Sequence, residues 1–240
     1  MIFLLTIKQK HFLSVLCFLF YSSLSFGQIR NGELQSWNDV ILKYDYSEKL
    51  SVVGDAGARY YFDTHWSVFY VRPALQWRLT NSFSITGGVA FFYNLNPDYD
   101  NVNDLRIFQM AELVWPRIAG FKFHHRFMVE ERWFVTKIEP TQYKVRGRYR
   151  FGVETPYYSL GGGNKSIYNI VFIEFLGDLD TNDLSPFNKY QRYTLVAGHD
   201  ITDRVGMELH YQLHSILLDS GMDIQQNIVR IRLKLNLNAS

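Results

Sequence analysis

The chain has 240 residues, of which 47% are hydrophobic and 17% aromatic, with a formal charge of +2 and a single cysteine. That length bounds one domain, and so small a charge excludes nucleic acid as a bulk electrostatic partner. The Tyr and Phe content fits strands and membrane interfaces better than helices.

Residues 1–27 read as a secretory signal peptide. Lys8, Lys10 and His11 form a short basic region, and Phe12 to Tyr21 is apolar apart from Ser14. The apolar run is too short to span a bilayer as a helix. Ser25 and Gly27 suit signal peptidase, so the expected mature domain is 28–240; the alternative is a retained anchor. Cys17 leaves with the signal, and Leu16 before it does not fit a lipoprotein site, so no thiol chemistry is expected. Losing Lys8 and Lys10 brings the basic residues level with the acidic ones. Beyond residue 27 no apolar run suits a spanning helix, so any membrane crossing must be by strands.

Strand signals then tile the chain. Alternation places strands near Leu34–Tyr46, Leu50–Phe62, Ser67–Leu79, Phe83–Tyr93, Leu105–Trp115 and Phe121–Phe134. It continues through Gln142–Glu154, Ile167–Gly177, Gln191–His199, Val205–Leu217 and Ile224–Leu237. In Gln142–Glu154 every second residue is polar, with Lys144, Arg146, Arg148 and Arg150 on one face and Tyr143, Val145, Tyr149 and Phe151 on the other. In the last segment Val229, Ile231, Leu233 and Leu235 alternate with Arg230, Arg232, Lys234 and Asn236.

These segments exceed the roughly five or six residues usual in soluble proteins and approach the nine to eleven of a tilted membrane crossing. Connections alternate in length, as in outer-membrane barrels. Short turns are expected at Ser47–Lys49, Thr80–Ser82, Pro116–Gly120 and Thr202–Arg204, and longer loops at Asn94–Asp104, Val135–Thr141, Asp178–Lys189 and Asp219–Asp223. The expected fold is all-β: a closed antiparallel transmembrane β-barrel of 10–12 strands. Because bacterial barrels have even counts, twelve is preferred, with Gln28–Gln35 as an opening strand; splitting one segment wrongly would leave ten. The closing residues Asn236 to Ser240 lack the terminal aromatic common in such barrels.

His125-Arg126 with Glu130 and Arg132 forms an H-R-x-x-x-E-x-R pattern, and Arg146-Gly147-Arg148-Tyr149-Arg150 follows it. With the early Trp37, the turn and strand from Ser47 to Tyr60 including Arg59, and Gly87-Gly88 after Leu79-Thr80, this resembles the domain of unknown function 2490 family, predicted bacterial outer-membrane barrels. The resemblance covers the mature chain. It implies fold and location and supplies no reaction.

Charges on an inward face need partners, because an unpaired buried charge is costly. Folding the Phe121–Phe134 strand back on the next places Glu130 opposite Arg146 and diagonal to Lys144 and Arg148. The expected lumen charge network is Glu112, Arg126, Glu130, Arg132, Lys144, Arg146, Arg148, Arg150, Glu154, Glu208, Arg230 and Arg232, with Glu174 a further carboxylate. The expected function is a small outer-membrane barrel of structural or passive-transport type. Its partners are bilayer lipids, and it needs no cofactor, metal or catalysis. A basic-lined pore is the alternative use of the same face.

Two other classes compete. His65 and Ser67 resemble the His-x-Ser arrangement of outer-membrane lipid A deacylases, although early in the chain and at a loop; His214-Ser215 points to opposite faces. A soluble exported lipocalin-like binder is the other. Asn164 stands where a phosphate loop in Gly161–Ser166 needs glycine. Asp178 to Lys189 lacks the glycine and glutamate of a calcium loop. Asp98, Asp100, Asp104, Asp178, Asp180 and Asp183 would make the outer rim acidic and offer divalent cations a bridge to lipid headgroups.

Overall fold

The structure is a computed structural model that describes residues 33–159, 166–179, 190–218 and 221–237. Residues 1–27, expected to be a signal peptide, residues 161–165, Asp180 and Asp183 lie outside the described residues.

Alternating polarity forms the strands where the sequence places it. They are β1 (Glu33–Asp45), β2 (Leu50–Tyr61), β3 (Ser67–Arg78), β4 (Phe83–Leu95), β5 (Val102–Val114) and β6 (Lys122–Val135). They continue as β7 (Gln142–Glu154), the two-residue β8 (Tyr158–Ser159), β9 (Ser166–Asp178), β10 (Tyr190–Asp200), β11 (Val205–Leu218) and β12 (Gly221–Asn236). Each long strand pairs with its neighbour in sequence, and β8 pairs only with β9.

The sheet closes because β1 also pairs with β12, in parallel, from Glu33↔Gln226 to Lys43↔Asn236. Eleven long strands therefore form the closed barrel. This corrects the preference for twelve, since Gln35 already belongs to β1. An even count is required only if every junction is antiparallel. Here the first and last strands run in the same direction, and a parallel ladder joins them with full backbone pairing.

Hydroxyl side chains shape several turns. The Ser47 hydroxyl accepts from the Leu50 amide at 3.0 Å. Thr80 Oγ1 accepts from the Phe83 amide, and Thr202 Oγ1 from the Val205 amide, each at 3.0 Å. These local bonds reverse the chain in few residues. At the opposite end β11 and β12 extend until Leu218 pairs with Gly221, so residues 221–223 of the loop expected at Asp219–Asp223 belong to β12.

The two faces differ in kind. Outward residues are exposed and apolar, including Phe69, Val71, Leu75, Trp77, Val89, Phe127, Leu209 and Ile231. Inward residues divide the interior in two. On β3 to β6, Val68, Tyr70, Ala74, Ala90, Phe92, Phe108 and Met128 form an apolar cluster. Charges occupy the rest of the interior and share β5 and β6 with this cluster through Asp104, Arg106, Arg126, Glu130 and Arg132. Tyr70 and Phe92 stack with centroids 5.1 Å apart at its centre. Alternation alone did not reveal this apolar cluster.

Candidate functional site

Glu174 on β9 stands directly opposite Arg150 of β7 and Arg192 of β10. It is 1% exposed and contacts four guanidinium groups: Arg126 at 2.9 Å, Arg148 at 2.9 Å, Arg150 at 3.2 Å and Arg192 at 3.2 Å. Glu130 on β6, with no exposed surface, meets Arg106 at 3.2 Å and Arg148 at 3.5 Å. Asp104 on β5 receives Arg106 and Arg132, each at 2.5 Å. Arg148 and Arg106 thus link three carboxylates into one connected cluster. Charge-assisted bonds of this kind are the strong ones, and each carboxylate must hold several to offset its own burial.

A second cluster bridges the parallel junction. Asp39 of β1 takes two bonds from Arg230 of β12, at 2.8 and 2.5 Å, and one from Arg232 at 3.1 Å. Glu208 of β11 accepts from Tyr168 at 2.7 Å, meets His210 Nε2 at 2.9 Å and lies 3.8 Å from Arg232. Lys234 reaches Glu208, Asp200 and the Tyr168 hydroxyl. Trp37 sits inside the ring, with the Arg59 guanidinium 4.0 Å and that of Arg230 5.5 Å from its centroid. Such cation–π contacts supply attraction to guanidinium groups when carboxylates are few. At the short-turn end Glu154 meets Arg117, Lys122 and His124.

The structure thus places Arg126, Glu130, Arg132, Arg148, Arg150, Glu154, Glu208, Arg230 and Arg232 in ion pairs. Glu130 does face Arg146 in register. The Arg146 guanidinium, however, lies 3.6 Å from Asp178, and the Glu130 carboxylate turns to Arg106 and Arg148. Two expected members make no ion pair among the described residues: Lys144 is exposed, and Glu112 faces Arg126 in register. Asp104 is no rim residue. β5 starts at Val102, three residues before Leu105, and turns Asp104 inward at 2% exposure.

Sequence reasoning did not single out Asp39, Arg106 or Arg192. Parity alone could have found two of them. Asp39 alternates with Val40, two positions from Trp37, and Arg106 lies between Leu105 and Ile107. Arg192 stands between Gln191 and Tyr193, where alternation is weak. His65 Nδ1 lies 3.0 Å from the Tyr60 hydroxyl, so its structural partner is Tyr60 rather than Ser67. Among the described residues no group of three or more His, Cys, Asp or Glu could hold a metal ion.

The family model described as Protein of unknown function (DUF2490) matches residues 34–238. The chain belongs to this family. The DUF2490 match runs from the second residue of β1 past the end of β12, so it takes in the whole barrel. The motifs behind the resemblance lie on β6 and β7. In this DUF2490 barrel Arg126, Glu130, Arg132, Arg148 and Arg150 are paired inside, while His125 faces out and shares a 2.8 Å hydrogen bond with the Tyr149 hydroxyl. No curated protein matches the chain.

Proposed function

We propose that this DUF2490 protein is an outer-membrane β-barrel whose interior is filled by apolar packing and ion pairs. Its role is structural rather than that of an open pore. One observation carries the reading: polarity is inverted around the barrel, with apolar side chains exposed outside and carboxylates buried inside. A water-soluble barrel would gain nothing from so extensive an apolar exterior. In a bilayer the same surface meets lipid, and closure leaves no unpaired sheet edge in the hydrocarbon.

Dimensions agree with this reading. The long strands mostly run 12 to 14 residues. At about 3.3 Å per residue they reach roughly 40 Å, enough when tilted to cross a hydrocarbon core of about 30 Å. Export would be directed by residues 1–27, and the partners would be outer-membrane lipids.

Fractionation and bilayer recording test the proposal together. The protein should remain with outer membranes, migrate differently on gels when unboiled, and give no steady conductance in planar bilayers. Release with the periplasmic fraction would instead assign a soluble binder. A wild-type conductance that changes in Arg146→Ala would assign a basic-lined pore.

A further inference from the structure

The linked cluster on β5 to β10 is not electrically balanced. Six arginines, Arg106, Arg126, Arg132, Arg148, Arg150 and Arg192, share three carboxylates, Asp104, Glu130 and Glu174. Arginine stays charged in proteins, so the cluster carries three positive charges beyond its ion-paired carboxylates, and Glu112 opposite Arg126 offsets only one of them. Acceptors are short as well: Arg148 Nε and Arg192 Nε are buried with no hydrogen-bond partner. A buried excess of one sign is costly unless a counter-charge reaches it.

A cavity lies where this cluster meets the one at the parallel junction. Its volume is about 110 Å³, and Arg150, Arg230, Arg232, Glu208, His210 and Gln212 form its polar wall. Roughly 10–15 Å³ suffices for one water, so this space takes a small polyatomic ligand. Glu208 is the carboxylate on this wall, and its charge is already matched by Arg232 at 3.8 Å and Lys234 at 3.5 Å, so it does not offset Arg150. Gln212 is 3% exposed and its Oε1 is a buried acceptor without a partner, so it suits a ligand hydroxyl, such as that of a monoprotonated phosphate, rather than an ionised oxygen. Ile170 and Phe172 line the other side, and the Arg150 guanidinium lies 4.9 Å from the Phe172 ring centroid.

We propose that this interior cavity is a binding site for a small oxyanion, a carboxylate or phosphate group held chiefly by Arg150 with Arg230 and Arg232. The ligand supplies negative charge to a wall on which three arginines, Arg150, Arg230 and Arg232, face one carboxylate, Glu208. Guanidinium suits this task through its planar fork of donors. Any short apolar portion of the ligand lies against Ile170 and Phe172. The site belongs to the folded barrel and does not depend on where the barrel resides.

The test is thermal stability of the purified full-length protein, titrated with sodium butyrate or sodium phosphate at ionic strength held constant with sodium chloride. At least one oxyanion should raise the unfolding temperature along a saturating curve, by roughly 5 °C or more at a hundredfold excess over its half-point. Arg150→Gln should abolish that rise, while Lys43→Gln, whose partner is Asp45 outside the cavity, should retain it. Should Arg150→Gln fail to fold, Arg232→Lys keeps the charge but removes the planar fork of donors and should weaken the response at least tenfold. Butyrate saturating at lower concentration than phosphate would bring the Ile170 and Phe172 wall into the site; the reverse order would leave an inorganic oxyanion as occupant. An unfolding temperature that follows ionic strength alone, or a rise unchanged in both cavity variants, overturns the proposal.

Discussion

Glu174 shows how one side chain is held by its environment. A carboxylate at 1% exposure survives only because four guanidinium groups converge on it. Glu174→Gln keeps the shape and removes the charge, leaving those arginines with still less compensation. The expected loss is about 3–5 kcal/mol, the usual result of breaking a buried pair from one side. Denaturant melts of wild type and variant in the same detergent would measure it; a loss below about 1 kcal/mol would show that solvent already screens this cluster. Arg150 carries two roles at this scale. It holds Glu174, and through the same guanidinium it faces the cavity. The alternation at 142–154 showed that Arg150 points inward. Its carboxylate partner lies on a strand that begins sixteen residues after Arg150, which local alternation does not reach.

At the scale of the strand, small residues make room for large ones across the two ladders of β9. Gly152 of β7 stands opposite Phe172 of β9, and a Cβ added there would meet the aromatic ring. Gly198 of β10 likewise stands opposite Tyr168 of β9, and the space lets the Tyr168 hydroxyl reach Glu208. Gly152→Ala should therefore cost about 1–3 kcal/mol through overpacking. The double variant Gly152→Ala with Phe172→Ala should show coupling, its loss smaller than the two single losses added. Strict additivity in thermal or denaturant melts would refute a steric origin. Strand extents were readable from period-two alternation, and β7 matches its expected bounds of Gln142 and Glu154. β5 was misjudged at its start because Asp100 to Asp104 reads as an acidic loop until its pairing with β4 and β6 draws Asp104 into the strand.

At the scale of the molecule, the parallel junction is the distinctive feature. Antiparallel neighbours within the barrel are consecutive long strands of the chain, whereas β1 and β12 meet from opposite ends of the sequence. Their backbone ladder is reinforced inside by Asp39, which bonds Arg230 and Arg232 across it. Asp39→Asn should lower the temperature at which the barrel loses its unboiled gel shift by several degrees. Asp55→Asn removes a comparable pairing, with Arg72 on the adjacent β3. That pair bridges strands already joined by a short connection, so its loss should have the smaller effect. Equal shifts in the two variants would show that the junction has no special dependence on its ion pairs.

Sequence by itself determined the strands, the facing of their side chains and the family. Each follows from a local rule: successive residues on a strand leave opposite faces, so Arg146, Arg148 and Arg150 must share one side wherever the strand lies. Only the tertiary structure decided the eleven-strand closure, the apolar half of the interior and the identity of each ion pair. Those depend on register between strands and on how the ends of the sheet meet, and no local period records either. Asp39 and Arg230 are 191 residues apart and become partners solely because the barrel closes in parallel. Antiparallel pairing from β5 to β10 gathers six arginines around three carboxylates, and a cavity lies beside Arg150. A charge balance that looks neutral along the chain thus becomes locally positive in space, because the fold distributes its acids and bases unevenly around the interior.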